Sequence, residues 1–126
     1  MSGYSLDANI LIDTLLEHPP AQRELKRIAQ SGARMWISRM AWIEVLSKGD
    51  DAVVQDSLRF LSRFGVDEID DEISHRAAAL RRERPKLRSP DAIILASAQI
   101  RGRVLVTRNI KDFPAAMPGI RIPYTL

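Results

Sequence analysis

Ser89-Pro90-Asp91-Ala92-Ile93-Ile94-Leu95-Ala96-Ser97-Ala98-Gln99-Ile100-Arg101-Gly102-Arg103-Val104-Leu105-Val106 holds a helix start, a helix stop and a strand in one short stretch. Ser89 supplies a hydroxyl for an otherwise unpaired backbone N–H, Pro90 suits the first turn, and Asp91 complements the positive end of the helix dipole. The apolar positions carry the helix to about Ile100, and Gly102 stops it. Val104–Val106 is then the clearest strand in the chain. A helix handing over to a buried strand within a few residues is the mark of an α/β protein with crossover helices.

The same alternation extends in both directions. Tyr4–Leu6 is a short apolar run ending at Asp7, and residues 8–17 place Ile10, Leu11, Leu15 and Leu16 at helical spacing. Pro19-Pro20 is expected to break that helix, with a second one over 22–30 that buries Leu25, Ile28 and Ala29. Residues 35–37 read as a strand, Ser38 as an N-cap, and 40–47 as a largely apolar helix. Residues 56–64 are amphipathic, with Leu58, Leu61 and Phe64 as core candidates. A strand over 66–69, a helix over 70–84, a turn or short helix over 109–113 and a last strand over 120–122 complete the pattern. The expected architecture is a three-layer α/β/α sandwich around a mainly parallel sheet, formed by 1–126 as a single domain.

Composition limits the chemistry. The 126 residues contain no cysteine, which excludes disulfide scaffolds, zinc fingers, iron–sulfur clusters and a cysteine nucleophile. With only two histidines, His18 and His75, the chain argues against a histidine-rich metal site. The N-terminal segment has neither a cationic start nor a long apolar run, and no stretch approaches the ~20 apolar residues of a membrane span. A cytoplasmic protein with no membrane partner is therefore expected. The net charge of +3 is a weak pointer to an anionic partner.

Four acids stand out by their position. Asp7 ends the first strand, Asp91 opens a helix, and Asp112 follows the strongest strand by a few residues. Sites in open α/β sheets form outside the C-terminal ends of strands. Glu44 is the one charge in Trp42-Ile43-Glu44-Val45-Leu46, and burying a lone carboxylate is costly unless it is paired or coordinated. Each also has a structural reading: Asp7 as a cap, Asp91 as a dipole partner, Glu44 as a solvent-facing position, Asp112 as a turn residue. Taken together, converging carboxylates repel and raise one another's pKa unless a cation compensates. An oxygen-only ligand set favours Mg²⁺ or Mn²⁺, ions suited to in-line phosphoryl displacement by water.

At the level of motifs, Leu6-Asp7-Ala8-Asn9-Ile10-Leu11-Ile12-Asp13 resembles the opening motif of PIN-domain ribonucleases. The segments from Ser38 to Leu46, Pro90 to Ala98 and Leu105 to Phe113 resemble the three motifs that follow. The compact form resembles the VapC toxins of type II toxin–antitoxin modules, including the FitB-like branch. The resemblance implies a metal-dependent endoribonuclease, with Asp7, Glu44 and Asp91 as catalytic and metal-holding acids. For the fourth acid it implies Asp112, with Asn109 orienting water or a ligand; the alternative is direct contact by Asn109, with Asp112 holding the loop. Ser38 and Thr107 match polar positions flanking the site, and Asn9 is expected to hydrogen-bond an acid from one turn into the first helix. Implied partners are RNA, a cognate VapB-like antitoxin and a second copy of the chain.

Arginine and lysine gather around the last two motifs. Arginine's planar fork suits phosphate, and Arg39, Arg88, Arg108 and Lys111 are candidate RNA contacts. The plainer reading is a solvated helix face with ion pairs to nearby acids. Trp36 and Trp42 lie in apolar runs and are expected in core or interface, not under RNA bases. A catalytically silent PIN-like RNA-binding or scaffold module is the alternative function, and a DNA nuclease is a third. An aspartate-nucleophile phosphatase is disfavoured, because Asn9 stands where a second aspartate would be required.

Overall fold

A polar residue at the end of each of the first two strands, or directly after it, caps the helix that follows. The computed structural model describes residues 3–126; Met1 and Ser2, which belong to the N-terminal segment and to the expected 1–126 domain span, lie outside the described residues. Strand β1 (Tyr4–Leu6) runs into Asp7, whose carboxylate accepts from the Ala8 N–H at the start of α1 (Ala8–Leu15). Strand β2 (Met35–Ser38) ends on Ser38, whose hydroxyl accepts from the Met40 N–H and caps α3 (Arg39–Leu46). Between them lies α2 (Pro19–Ser31). The chain continues through α4 (Asp51–Leu61), β3 (Gly65–Asp67), α5 (Asp71–Glu83), α6 (Ser89–Arg101), β4 (Val104–Val106) and β5 (Ile120–Arg121).

The five strands form one sheet in the order β3-β2-β1-β4-β5, and every pairing is parallel. The chain steps outward from β1 to β3, then returns past β1 to β4. Right-handed crossovers place the helices of the first half on one face and α5 and α6 on the other, giving the expected α/β/α layering. The order reverses at β1, between β2 and β4, so a crevice opens at the C-terminal ends of β1 and β4. Leu6, Ile37, Leu105 and Val106 of the sheet, Ile94 of α6 and Phe113 of the following loop are fully buried. No helix among the described residues is long and apolar enough to cross a membrane.

Several boundaries differ from the sequence expectation. Helix α2 begins at Pro19, because prolines at the first two positions forfeit only N–H groups that have no helical partner. Helix α1 ends at Leu15, and Glu17, at φ 61°, turns the chain toward α2. Helix α4 starts at Asp51, capped by Asp50, whose side chain accepts from Val53 N–H. Ser89 is the first helical residue of α6 and not its cap; Arg88 holds the cap position without a side-chain hydrogen bond. Leu58 and Ala29 are exposed, while Leu61, Phe64 and Ile28 are buried. Trp36 lies under the guanidinium groups of Arg34 and Arg103, and Trp42 under that of Arg39.

Candidate functional site

Asp7 is the centre of the crevice. Its backbone N–H donates to the Val106 carbonyl at 2.9 Å, which ties the end of β1 to β4. Its side chain is 4% exposed. Oδ1 accepts from Ala8 N–H at 2.7 Å, and Oδ2 accepts from the Thr107 hydroxyl at 2.7 Å and from Asn9 Nδ2 at 3.2 Å. A carboxylate offers about four lone-pair sites, so these donors leave one free at Oδ1. Burial pushes the Asp7 carboxyl up to about 6; Thr107 and Ala8 pull it down, and the charges of Asp91 and Glu44 add to the rise.

Helices α3 and α6 bring the other two acids to the same place. Asp7, Glu44 and Asp91 line one cavity of about 340 Å³ together with Asn9, Lys48, Arg108 and Asn109. Glu44 and Asp91 are both half-buried. Burial raises Glu44 above the usual carboxylate range and Asp91 adds to it, while Arg88 and Lys48 oppose the rise. Burial likewise raises Asp91, reinforced by Asp112 and opposed by Arg88 and Arg84. Three acids in one cavity with their protons held too tightly are an arrangement that a cation relieves.

Among the buried acids, Asp7 differs in its partners. Asp13, Glu24 and Asp67 are each paired with arginine: Asp13 with Arg108, Glu24 with Arg27 and Arg121, Asp67 with Arg103. Asp7 has no such ion pair among the described residues, and its donors are an amide, a hydroxyl and a backbone N–H. Among the described residues no three acidic or histidine side chains stand close enough together to hold a metal ion as they are. The cavity is open, its acids offer oxygens, and the nearby cations Arg88, Lys48 and Arg84 offset their charge without overcoming the burial that raises them; this donor set fits a hard divalent cation in an open site.

Asn109 lines the acid cavity, and Asp112 does not. Asp112 Oδ2 accepts from Asn109 Nδ2 at 2.9 Å, and Asn109 Oδ1 accepts from the Asp112 N–H at 3.2 Å. Asp112 thus holds the loop and acts on Asp91 through its charge. Thr107 bridges the two halves, donating to Asp7 and accepting from the Asn109 N–H at 3.0 Å. Ser38 is fully buried behind the cavity, accepting from the Ser97 hydroxyl at 3.1 Å.

The basic candidates separate. Arg108 lines the cavity but is held by Asp13, Nε to Oδ2 at 2.6 Å, and Tyr124 donates to the same Oδ2 at 2.7 Å. Burial pushes Asp13 up, but these donors outweigh it and hold the carboxyl below its usual range. Exposed Arg88 acts on both Glu44 and Asp91. Arg39 is turned away from the acids, bound through both nitrogens of its fork to Glu68. Lys111 borders a neighbouring cleft. Sequence reasoning missed Lys48 and the Asp13–Arg108–Tyr124 triad. Lys48 follows the apolar run of α3 as an ordinary surface lysine, and the triad joins residues with no local signal between them.

Comparison with known proteins places these features in context. The family model for the PIN domain matches residues 4–116. The tRNA(fMet)-specific endonuclease VapC of Salmonella typhimurium (strain LT2) is 29% identical over 131 aligned positions, covering 97% of each chain. A chain of a toxin–antitoxin complex from Klebsiella pneumoniae is 38% identical, with a TM-score of 0.87, over 98% of this chain and 99% of that one. VapBC2 from Rickettsia felis, solved with a DNA fragment from its promoter, matches at 26% identity and a TM-score of 0.77, over 93% and 94% of the two chains.

Proposed function

Because the chain belongs to the PIN-domain family, we propose that it is a metal-dependent endoribonuclease and the toxin of a toxin–antitoxin pair. The observation that carries this reading is the convergence of Asp7, Glu44 and Asp91 on one cavity, with Asp7 buried and in no ion pair among the described residues. Asp7, Glu44 and Asp91 would hold the ion, with Asn109 as a neutral oxygen and amide donor beside them. Mg²⁺ or Mn²⁺ bound there supplies Lewis acidity toward water and phosphate oxygens.

The chain's own residues do the rest. Thr107 and Asn9 fix the Asp7 carboxylate in one orientation, which is the usual task of side chains behind metal-holding acids. Arg88, Lys48 and Arg108 surround the acids with positive charge and draw the phosphodiester toward them. Asp13 and Tyr124 fix Arg108 in the cavity wall. The endonuclease relative named for tRNA supports a structured RNA as substrate. The solved complexes support an antitoxin partner, and symmetric pairing of two copies is part of the same proposal.

The test is cleavage of a transfer-RNA pool by the wild type and by Asp7→Asn and Asp91→Asn, with and without EDTA, alongside Mn²⁺ binding by calorimetry. Both variants should fold, lose measurable Mn²⁺ binding and lose cleavage. If the folded variants cleave as fast as the wild type, the site assignment is wrong. If the wild type binds RNA but cleaves none with either metal, the silent binding module becomes the better reading.

A further inference from the structure

A second cleft lies beside the acid cavity, with a volume of about 430 Å³, walled by Arg84, Lys86 and Lys111 together with Asp112. The two cavities meet at one hydrogen-bonded pair: Asn109 lines the first, and its partner Asp112 lines the second. Asp112 does not neutralise the cleft's cations by pairing with them. Its Oδ2 accepts from Asn109, and its contact with Arg84 is through the backbone carbonyl, which accepts from Arg84 Nη2. Lys86 and Lys111 are exposed and make no ion pair among the described residues.

Arg84 Nη1 is buried and has no hydrogen-bond partner among the described residues. Arg84 Nη2 is committed to the Asp112 carbonyl and Nη1 is closed to solvent, so Arg84 lends the cleft its charge, while the exposed Lys86 and Lys111 are free to meet an anion as point charges. We propose that this cleft is a phosphate subsite, seating an RNA backbone phosphate that flanks the one presented to the acids. The inference deepens the nuclease reading and rests on it. The loop from Thr107 to Asp112 then serves both cavities: one end orients Asp7, and the other anchors Arg84. A strand lying across both cavities would be held by the cleft on one side of the cut, which sets where along the chain cleavage falls.

The experiment measures binding of a fluorescein-labelled single-stranded RNA oligonucleotide in EDTA, across a series of KCl concentrations. Lys86→Ala/Lys111→Ala is compared with the wild type and with Arg23→Ala/Lys26→Ala, which removes the same charge from the exposed face of α2. Each phosphate contact on a single strand contributes about 0.7 to the slope of log affinity against log salt. The cleft variant should bind about tenfold more weakly and lose about 0.7 of that slope, the contribution of one phosphate. An equal loss in both double variants, or none in either, overturns the subsite. RNA bound with the slope difference but not cleaved leaves the subsite standing and removes the nuclease reading. RNA cleaved without the slope difference does the reverse, and a wild type that binds no RNA removes both.

Discussion

Asp7 sits where its own charge is disfavoured. Its folded pKa is about 6 against an ordinary 3.8, so the folded state binds a proton more tightly than the unfolded chain. The stability contributed by that proton is fully present below the ordinary value and is lost as pH rises through about 6. In the metal-free protein the thermal midpoint should therefore rise between pH 7 and pH 5, by the equivalent of about 1 kcal/mol. Below that window Glu24, held at about 2 against burial by Arg121 and Arg27, works in the opposite sense, and stability should fall again toward pH 3. Calorimetric scans in EDTA check both limbs, and Asp7→Asn should flatten the upper one. Thr107 offers a second residue-level prediction. Thr107→Val removes the hydroxyl that donates to Asp7 and leaves the Asn109 N–H without its acceptor. Residues behind metal-holding acids are worth roughly 10–100-fold, so Mn²⁺ affinity should drop by about that factor while Thr107→Ser keeps most of it.

At the scale of elements, the caps decide where helices begin. Asp50 accepts from the Val53 N–H at 3.0 Å, and Gly49 before it, at φ 89°, packs its bare Cα against the Val53 side chain. Asp50→Ala should cost about 1 kcal/mol, seen as a lower urea midpoint with an unchanged slope. The start of α4 was not legible in the sequence, because Val53 is exposed and breaks the amphipathic period that marks 56–64. The start of α2 was misread for a different reason: Pro19-Pro20 is a breaker inside a helix and an initiator at its first turn. By contrast β4 and α6 were plain, since an uninterrupted β-branched and leucine run and a proline-acid start each leave little choice. The acids of the cavity were legible through the same local grammar, each lying at a strand end or on an apolar helix. Asp13 was not, because what distinguishes it from a helix-surface acid is Arg108 and Tyr124, and their separation in sequence leaves no periodic trace. The placement of Asn109 in the cavity and Asp112 behind it turns on a loop conformation that no propensity specifies.

Across the whole molecule, the buried acids fall into two kinds. Asp13, Glu24 and Asp67 are matched by arginines and brace distant parts of the chain: Glu24 ties α2 to β5 through Arg121, and Asp67 ties the end of β3 to Arg103 before β4. Asp7 is braced only by neutral donors and shares its cavity with two further acids, so the fold as it stands carries an excess of negative charge at one point. The net charge of +3 conceals this, because it sums over a surface rich in arginine. A ligand that binds the folded state alone stabilises it by RT ln(1 + [L]/Kd), about 2.7 kcal/mol at a hundredfold excess over Kd. Saturating Mn²⁺ should accordingly raise the thermal midpoint by about 10 °C in a domain of this size. It should also abolish the upper limb of the pH profile, since the cation takes over the compensation that the proton gives. The two kinds of acid then separate by variant. Asp91→Asn should be at least as stable as the wild type in EDTA and gain little from Mn²⁺, because it relieves the repulsion and weakens the site together. Glu24→Gln should melt lower in EDTA, leaving Arg27 and Arg121 without their shared anion, yet keep the full Mn²⁺ shift. Equal Mn²⁺ shifts in both variants would mean that the cation acts elsewhere than at the cavity of Asp7.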